Sequence, residues 1–366
     1  MIHETEALAI LTSIPHLGAV RIKQLIALYG SAVAVLEVDA KTISTLPELN
    51  QHILRNWGSW RKNRSWETNL ELAEANGVEL ISYQDSRYPK RLLEIPDHPV
   101  LLYVKGKLEP KDTRCIAIVG TRQASIYGQE LAEQTASYLA AMGYTVVSGL
   151  ARGIDTAAHR GALQRGRTLA VIGSGLSRIY PQENLILAKE IAEQGALISE
   201  FGMNVPPDRQ NFPQRNRIVA GMTLGTVLIE APFKSGAMLT MERAWQYKRR
   251  LFAYPGRVDN EDFRGNHWLI KNGQAQLIEK GEEIAGAFEN LFGLDKCDPL
   301  VQIKQINMNE EERKFLTQLP NQEISIENMA QLTQLPIMKL NSLLMSLLLK
   351  KAIKEFPGKI YKKLVV

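Results

Sequence analysis

The stretch Ser148-Gly149-Leu150-Ala151-Arg152-Gly153-Ile154-Asp155 follows the apolar run Tyr144-Thr145-Val146-Val147 and leads into a helical pattern. It reads as a strand-to-helix turn carrying an arginine. Glycine lets backbone approach a ligand closely, and the free N–H groups and dipole of the next helix favour an anion. The turn therefore predicts a phosphate site. The same design stands upstream, where Cys115-Ile116-Ala117-Ile118-Val119 reads as a buried strand, Gly120-Thr121-Arg122 as its turn and Tyr127-Gly128 onward as a helix. A tight turn with a solvated arginine is the plainer reading of Gly-Thr-Arg, and its repetition downstream weighs against it. In an open parallel sheet such turns share one edge, so Arg122 and Arg152 are expected to face a common crevice.

The chain has 366 residues, 45% of them hydrophobic and 23% charged, enough for two or three domains with a sizeable core. A formal charge of +5 permits an anionic partner without requiring one. The two cysteines, Cys115 and Cys297, have neither disulfide-framework nor metal-ligand spacing, so reduced thiols are expected, with no metal centre and no cofactor. Met1-Ile2-His3-Glu4 does not open a leader pattern, and no stretch approaches roughly 18 uninterrupted apolar residues. A cytoplasmic location without membrane insertion is the expectation.

Residues 1–75 read as a small helical domain in which Ile14-Pro15-His16-Leu17-Gly18-Ala19-Val20-Arg21 resembles a helix-hairpin-helix turn. Such a turn either meets a DNA phosphate through its amides or serves packing alone. Residues 76–292 form the core with its connector. Between about 80 and 110 the prolines of Tyr88-Pro89 and Ile95-Pro96-Asp97-His98-Pro99 forbid a long helix. Strand-like runs then follow at 115–119, 144–147, 168–172, 196–198, 225–230 and 251–254, most of them separated by helical patterns. That alternation predicts an α/β fold with an extended, Rossmann-like, mostly parallel sheet.

The third turn, Gly173-Ser174-Gly175, also follows a strand and is placed with the ligand-binding turns. It is not a dinucleotide fingerprint, because a third glycine is missing and Tyr180-Pro181 cannot open a helix. Asn211-Phe212-Pro213-Gln214-Arg215-Asn216-Arg217 joins an aromatic to two arginines, a vocabulary that holds single-stranded nucleic acid through phosphate neutralisation and base stacking. The alternative makes Phe212 a core anchor and the arginines braces for a helix beginning near Arg215. Ser235-Gly236 precedes another amphipathic helix and fits either a phosphate or an ordinary cap.

Residues 293–308 read as a linker and 309–366 as a winged-helix domain, with three helical patterns and a hairpin around Pro357-Gly358. Lys350, Lys351, Lys354, Lys359, Lys362 and Lys363 give it a basic edge, while its second-last element, from Pro336 to Met345, offers few base-reading side chains. Protein docking or nonspecific DNA contact suits it better than sequence reading.

Taken in order, Gly120-Thr121-Arg122, Ser148 to His159, Ser199-Glu200-Phe201, Asn211 to Gly221 and Tyr254-Pro255-Gly256 resemble the bacterial DNA-processing protein DprA (Smf) family. The resemblance spans about 80 to 275. It implies a homodimeric, nonenzymatic protein that binds single-stranded DNA, protects incoming strands and helps load the recombinase RecA in natural transformation. It also implies a DNA-binding role for Arg122 and the basic pocket around it. That role extends to Arg152, Phe212, Arg215 and Arg217. With the turns that carry them, the expected DNA-binding set is Gly120, Thr121, Arg122, Ser148, Gly149, Leu150, Ala151, Arg152, Gly153, Gly173, Ser174, Gly175, Asn211, Phe212, Arg215, Asn216, Arg217, Ser235 and Gly236.

The competing reading is a phosphoribohydrolase acting on nucleoside monophosphates, by distant similarity to LOG-type enzymes whose Gly-Gly-x-Gly-Thr motif precedes a catalytic Glu. Here only Gly225-Thr226 and Glu230 echo it, with Glu200 as a second carboxylate for hydrolysis.

Overall fold

The computed structural model describes residues 2–44, 51–62, 64–288, 308–320, 323–350, 352–356 and 358–363. Its contacts divide the chain into two compact units, Met1–Pro299 and Leu300–Val366. Cys297, Lys351, Pro357 and most of the expected linker lie outside the described residues.

Among the described residues of the first unit six helices come first: α1 (Glu4–Ser13), α2 (Ala19–Tyr29), α3 (Ala32–Glu37), α4 (Ala40–Ser44), α5 (Gln51–Asn56) and α6 (Ser65–Ala75). The proline-punctuated connector is not plain loop, because it carries two strands, β1 (Val78–Ser82) and β2 (Leu101–Gly106). Prolines fall between them, where no ladder needs their missing N–H. The parallel strands follow as β3 (Cys115–Val119), β4 (Thr145–Ser148), β5 (Thr168–Val171), β6 (Ala196–Ser199), β7 (Gly225–Leu228) and β8 (Arg250–Ala253). A short β9 (Gln276–Leu277) ends the sheet.

The sheet order is β1-β2-β6-β5-β4-β3-β7-β8-β9, antiparallel only where β2 joins β1 and β6. From β3 the chain winds to one side through α7 (Ile126–Ala141), β4, α8 (Ile154–Arg165), β5, α9 (Leu185–Gln194) and β6. Helix α10 (Asn211–Gly221) then carries it back across to β7, and α11 (Gly236–Gln246), α12 (Arg264–Lys271) and α13 (Gly281–Gly286) complete the other half. Strand order therefore reverses between β3 and β7, the position at which open α/β sheets bind ligands beyond their carboxyl ends.

Both sheet faces are covered, which is why the central strands read as unbroken apolar runs. Side chains alternate along each strand. Ile116 and Ile118 pack with α7, α8 and α13, whereas Ala117 and Val119 pack with α10 and α11 on the opposite face. The N-terminal helices complete the first of these layers. Leu8, Ile10, Leu11 and Ile22 share a core with Ala170, Ile172 and Leu197 from the sheet, so the expected boundary at residue 75 falls inside one packed unit.

The second unit contains α14 (Glu310–Gln318), β10 (Ile324–Ser325), α15 (Ile326–Thr333), α16 (Ile337–Leu349) and the hairpin β11 (Ile353–Phe356) and β12 (Ile360–Lys363). Three helices followed by a hairpin is the element order of a winged helix. Phe315, Met329, Leu340, Leu344, Leu347 and Ile353 make its core. Two lysines of the expected basic edge are engaged internally, Lys350 with the buried Glu312 and Lys363 with the Leu319 carbonyl.

Asn266 of α12 holds the carboxyl edge of the sheet together. Fully buried, it accepts the Ala231 N–H and donates to the carbonyls of Leu228, Ile229 and Tyr254, tying β7 to β8. Asn266→Ala removes the side-chain partner of the Ala231 N–H and of the Ile229 and Tyr254 carbonyls, while the Leu228 carbonyl keeps the Tyr254 N–H, and is expected to cost on the order of 3 kcal/mol, read as a lower midpoint in urea unfolding. An unchanged midpoint would mean that the edge is held by something else.

Candidate nucleic-acid interface

A cavity of about 580 Å³ opens at the reversal between β3 and β7. Its walls come from the turn after β3 (Gly120, Thr121, Arg122), the turn after β4 (Gly149, Ala151), the start of α10 (Phe212, Arg215, Asn216) and the start of α11 (Ser235, Gly236). The Thr121 N–H donates to the Glu230 carbonyl and the Ile229 N–H to that of Val119, which locks the two sides of the reversal together.

The turn after β4 does not present its amides to a ligand, contrary to the sequence expectation. The Gly149 and Ala151 N–H groups donate to the Asp155 carboxylate, and the Leu150 N–H donates to His159 Nε2. A carboxylate of the chain itself occupies the anion position. Two backbone features make this possible. Gly153 has φ +70°, and a Cβ there would overlap the Thr121 carbonyl oxygen. A Cβ at Gly149 would overlap the guanidinium of Arg215. Leu150 and Ser148 are buried supports, the Ser148 hydroxyl donating to the Ile118 carbonyl.

Arg215 lies under the cavity floor, 4% exposed, with Nη1 donating to the Val171 carbonyl and Nε without a hydrogen-bond partner. Burial pushes its pKa down to about 10, partly offset by the Asp155 charge, so it stays cationic at neutral pH. Asp155 is pushed up by burial, against the Arg215 charge and the Gly149 and Ala151 N–H groups. His159 is held neutral by burial and then by Arg215, its pKa lowered to about 3. Because Nε2 accepts from Leu150, the ring proton sits on Nδ1 and is donated to Thr168 Oγ1.

The arginines separate into neutralised and open groups. Arg152 pairs with Glu183 through two nitrogens at the rim. Arg217, two positions beyond Arg215, is turned about 200° around α10. It leaves the cavity, binds both oxygens of Glu200 and lines a different cleft with the hairpin turn at 14–21. The expected joint action of Arg215 and Arg217 in one ligand track is thus not the arrangement found. The reason is that both arginines lie within α10, where residues two positions apart face different sides, as in the alternative reading that made them braces of a helix.

Arg122 and Arg209 are exposed and line the cavity without an ion pair among the described residues. The Arg122 guanidinium lies 4.8 Å from the ring centroid of Phe212, whose edge rests on Gly173. Arg209 was not singled out from sequence; it follows the Val205-Pro206-Pro207 loop, and only the fold brings it to the cavity. Gly173, Ser174 and Gly175 do not line the cavity, and the Ser174 hydroxyl donates to the Arg178 carbonyl. Asn211 donates to the Pro206 carbonyl and Asn216 to that of Gly236, bridging α10 to α11. Ser235 caps α11 by accepting the Met238 N–H, which leaves the first-turn N–H groups of Gly236 and Ala237 at the wall without intrahelical acceptors.

A family model described as DNA recombination-mediator protein A matches residues 79–289, more than half of the 366. The chain belongs to that family. It is 43% identical to Protein Smf of Escherichia coli strain K12 over 234 residues, covering 63% of this chain and 62% of that one. The match therefore spans less than two thirds of that relative's length. The solved structure of DNA processing protein A from Streptococcus pneumoniae superposes with a TM-score of 0.65 at 31% identity, covering 78% of this chain and 98% of the other. DNA processing protein A from Helicobacter pylori, whose structure was described for its single-stranded DNA binding mode, gives 0.53 at 30% identity over 58% of this chain and 96% of that one. Membership of the DNA recombination-mediator protein A family connects the chain with DNA processing. Among the described residues no single helix is long and apolar enough to cross a membrane.

The buried imidazole makes a pH test possible. The unfolded chain takes up a proton at His159 below about pH 6.5, while the folded chain resists until about pH 3. Stability is therefore expected to fall as pH drops through that window, by up to ~1.4 kcal/mol per pH unit for this one group. His159→Gln lacks the proton site, so the difference in unfolding free energy between the two proteins should follow that slope. Parallel curves would show that His159 titrates normally.

Proposed function

We propose that the cavity between β3 and β7 binds single-stranded DNA, without catalysis, and that the protein protects incoming strands and delivers them to RecA during natural transformation. The observation that carries the reading is Arg122: an exposed guanidinium, free of any carboxylate among the described residues, lies over an aromatic ring at the sheet's switch point. Arg209 adds a second open cation, and the α11 N-terminus adds unpaired N–H groups. Single exposed charge pairs contribute about 0–1 kcal/mol, so affinity comes from several phosphate contacts, counterion release and stacking together.

The hydrolase alternative needs a carboxylate free to act on the sugar or on water. Glu230 accepts the N–H and hydroxyl of Ser125, the residue that caps α7. Glu200 gives both oxygens to Arg217. Both candidates are committed to the fold, which favours binding over cleavage.

Self-association fits the far edge of the sheet. Phe233, Leu239, Trp245 and Trp268 are between 39% and 51% exposed around one groove, next to the open edge strand β9 with exposed Leu277. A second copy of the chain covers this apolar patch in our reading, joining two DNA sites for avidity.

Fluorescence anisotropy of labelled single- and double-stranded oligonucleotides across salt concentrations tests the central reading. Arg122→Ala is expected to weaken single-strand binding for every base composition and to shallow the log–log salt slope by about 0.7 for one lost phosphate contact. Phe212→Ala is expected to weaken binding with little change of slope. Wild-type affinity in Arg122→Ala at all salt concentrations would sink the proposed site, and release of free base from a nucleotide would restore the hydrolase. In sedimentation velocity, Trp245→Glu is expected to turn a dimer into a monomer; an unaltered dimer would move the interface elsewhere.

A further inference from the structure

The cavity lies at the carboxyl edge of the sheet, and the opposite edge, where the parallel strands begin, carries a different pattern of charge. Residues that lead into the strands there are cationic. Arg114 precedes β3, Arg167 precedes β5, and Lys248-Arg249-Arg250 runs into β8. Lys107, just past the end of the antiparallel β2, reaches the same edge, because its N–H donates to the Gly195 carbonyl ahead of β6. In the strand order β2-β6-β5-β4-β3-β7-β8 these positions form a row six interstrand steps long, or about 29 Å.

Two members of the row serve the fold. Arg249 is buried, binds Glu94 and donates to the carbonyls of Arg91 and Gly221. Arg167 is buried, binds Asp112 and Glu109 and donates to the Gln194 carbonyl at the end of α9. These contacts, with Lys111 on Glu109, engage the nearby carboxylates and leave the outer cations without them. Lys107 and Lys248 are exposed and form no salt bridge among the described residues. Arg250, also exposed, lies 5.4 Å from the centroid of the buried Phe288 ring and donates to the Ala287 carbonyl, so its charge too meets no carboxylate there. Exposed Glu193, in the last turn of α9, still leaves the cations in excess.

We infer that this edge is a second nucleic-acid surface, which takes the phosphate backbone of a duplex along the row from Lys107 to Arg250. A row of about 29 Å matches the length of roughly eight base pairs, and a duplex presents its charges on a stiff, regular lattice as the strand starts do. The row offers no open aromatic ring for unpaired bases, since Phe288 is buried beneath Arg250. A single strand would therefore gain only the shallower electrostatic contribution, about 0.7 per phosphate against about 0.9 for a duplex. The central strands are four or five residues long, which sets this edge about 15 Å from the cavity. Both edges can thus be occupied at once, one by a single strand and the other by a duplex. The surface stands on its own charges and does not depend on the cavity reading.

Anisotropy titrations of the full chain across salt concentrations test the inference, with a labelled 20-base-pair duplex and labelled oligo-dT as probes. The double variant Lys107→Glu with Lys248→Glu is expected to bind the duplex at least about tenfold more weakly, with the log–log salt slope shallower by about 1.8 for two lost contacts. Its binding of oligo-dT is expected to stay within about twofold of wild type, while Arg122→Ala shows the reverse pattern. Saturating unlabelled oligo-dT is expected to leave the duplex bound. The milder Lys107→Gln with Lys248→Gln, which adds no negative charge, is expected to give a smaller loss confined to the duplex. Wild-type duplex affinity in both double variants, as a duplex held by the winged helix would give, overturns the surface. So does a loss equal on both probes in the Gln pair, or displacement of the duplex by oligo-dT. Binding of a polyglutamate peptide as tightly as the duplex would assign the edge to an acidic protein instead. None of these results bears on Arg122, whose own effect on oligo-dT decides the cavity.

Discussion

The Asp155 carboxylate, seated inside the turn after β4, is the interaction on which the site depends. It takes the Gly149 and Ala151 amides that a phosphate would otherwise use. It interacts electrostatically with the buried Arg215, and His159 completes the turn by accepting the Leu150 N–H. A buried charge without a partner is costly, so Asp155 and Arg215 stabilise one another through the low-dielectric floor they share. The turn is therefore rigid and electrically closed. In the proposed reading, anion binding passes to Arg122 and Arg209, which have no ion pair among the described residues.

That division of labour explains why the chain carries many arginines near one edge and yet offers few to a ligand. Arg217 and Arg152 stabilise the fold through Glu200 and Glu183. Arg215 supports the floor from beneath. Arg122 and Arg209 remain, one from a strand-end turn and one from the loop before α10. Had all five faced the cavity, their mutual repulsion in a partly enclosed space would itself destabilise the fold. Pairing three of them concentrates an uncompensated positive potential where the strand order reverses.

Much of the scaffold is legible in the sequence because it rests on local rules. Apolar runs such as Cys115–Val119 place the parallel strands within a residue or two, while their order in the sheet comes from the structure. What escapes is decided by partners far along the chain. Helical backbone through both positions turns Arg217 away from Arg215, and Pro213 in the first turn of α10 is compatible with its start at Asn211. The N-terminal helices read as a separate domain, since no local pattern reveals that Leu8 and Ile10 pack with Ala170 and Leu197. Asp155 was quoted at the end of the decisive turn without a role. An acid two residues past the last glycine, at a helix start, is nevertheless the residue type that satisfies such a turn from within.

The small number of open cations sets the balance of forces available to a bound strand. Counterion release scales with the phosphates neutralised, so two arginines and one helix terminus support only a modest salt-dependent affinity per site. Aromatic surface, whose stacking contributes about 1–3 kcal/mol per base without reading its identity, is the complementary source. Duplication of the site in the proposed dimer is the other, since a strand long enough to reach both copies raises the effective concentration at the second. In the proposed reading, single-strand preference follows from geometry. A duplex can lay phosphates against Arg122, but its bases remain stacked on each other and leave Phe212 unused.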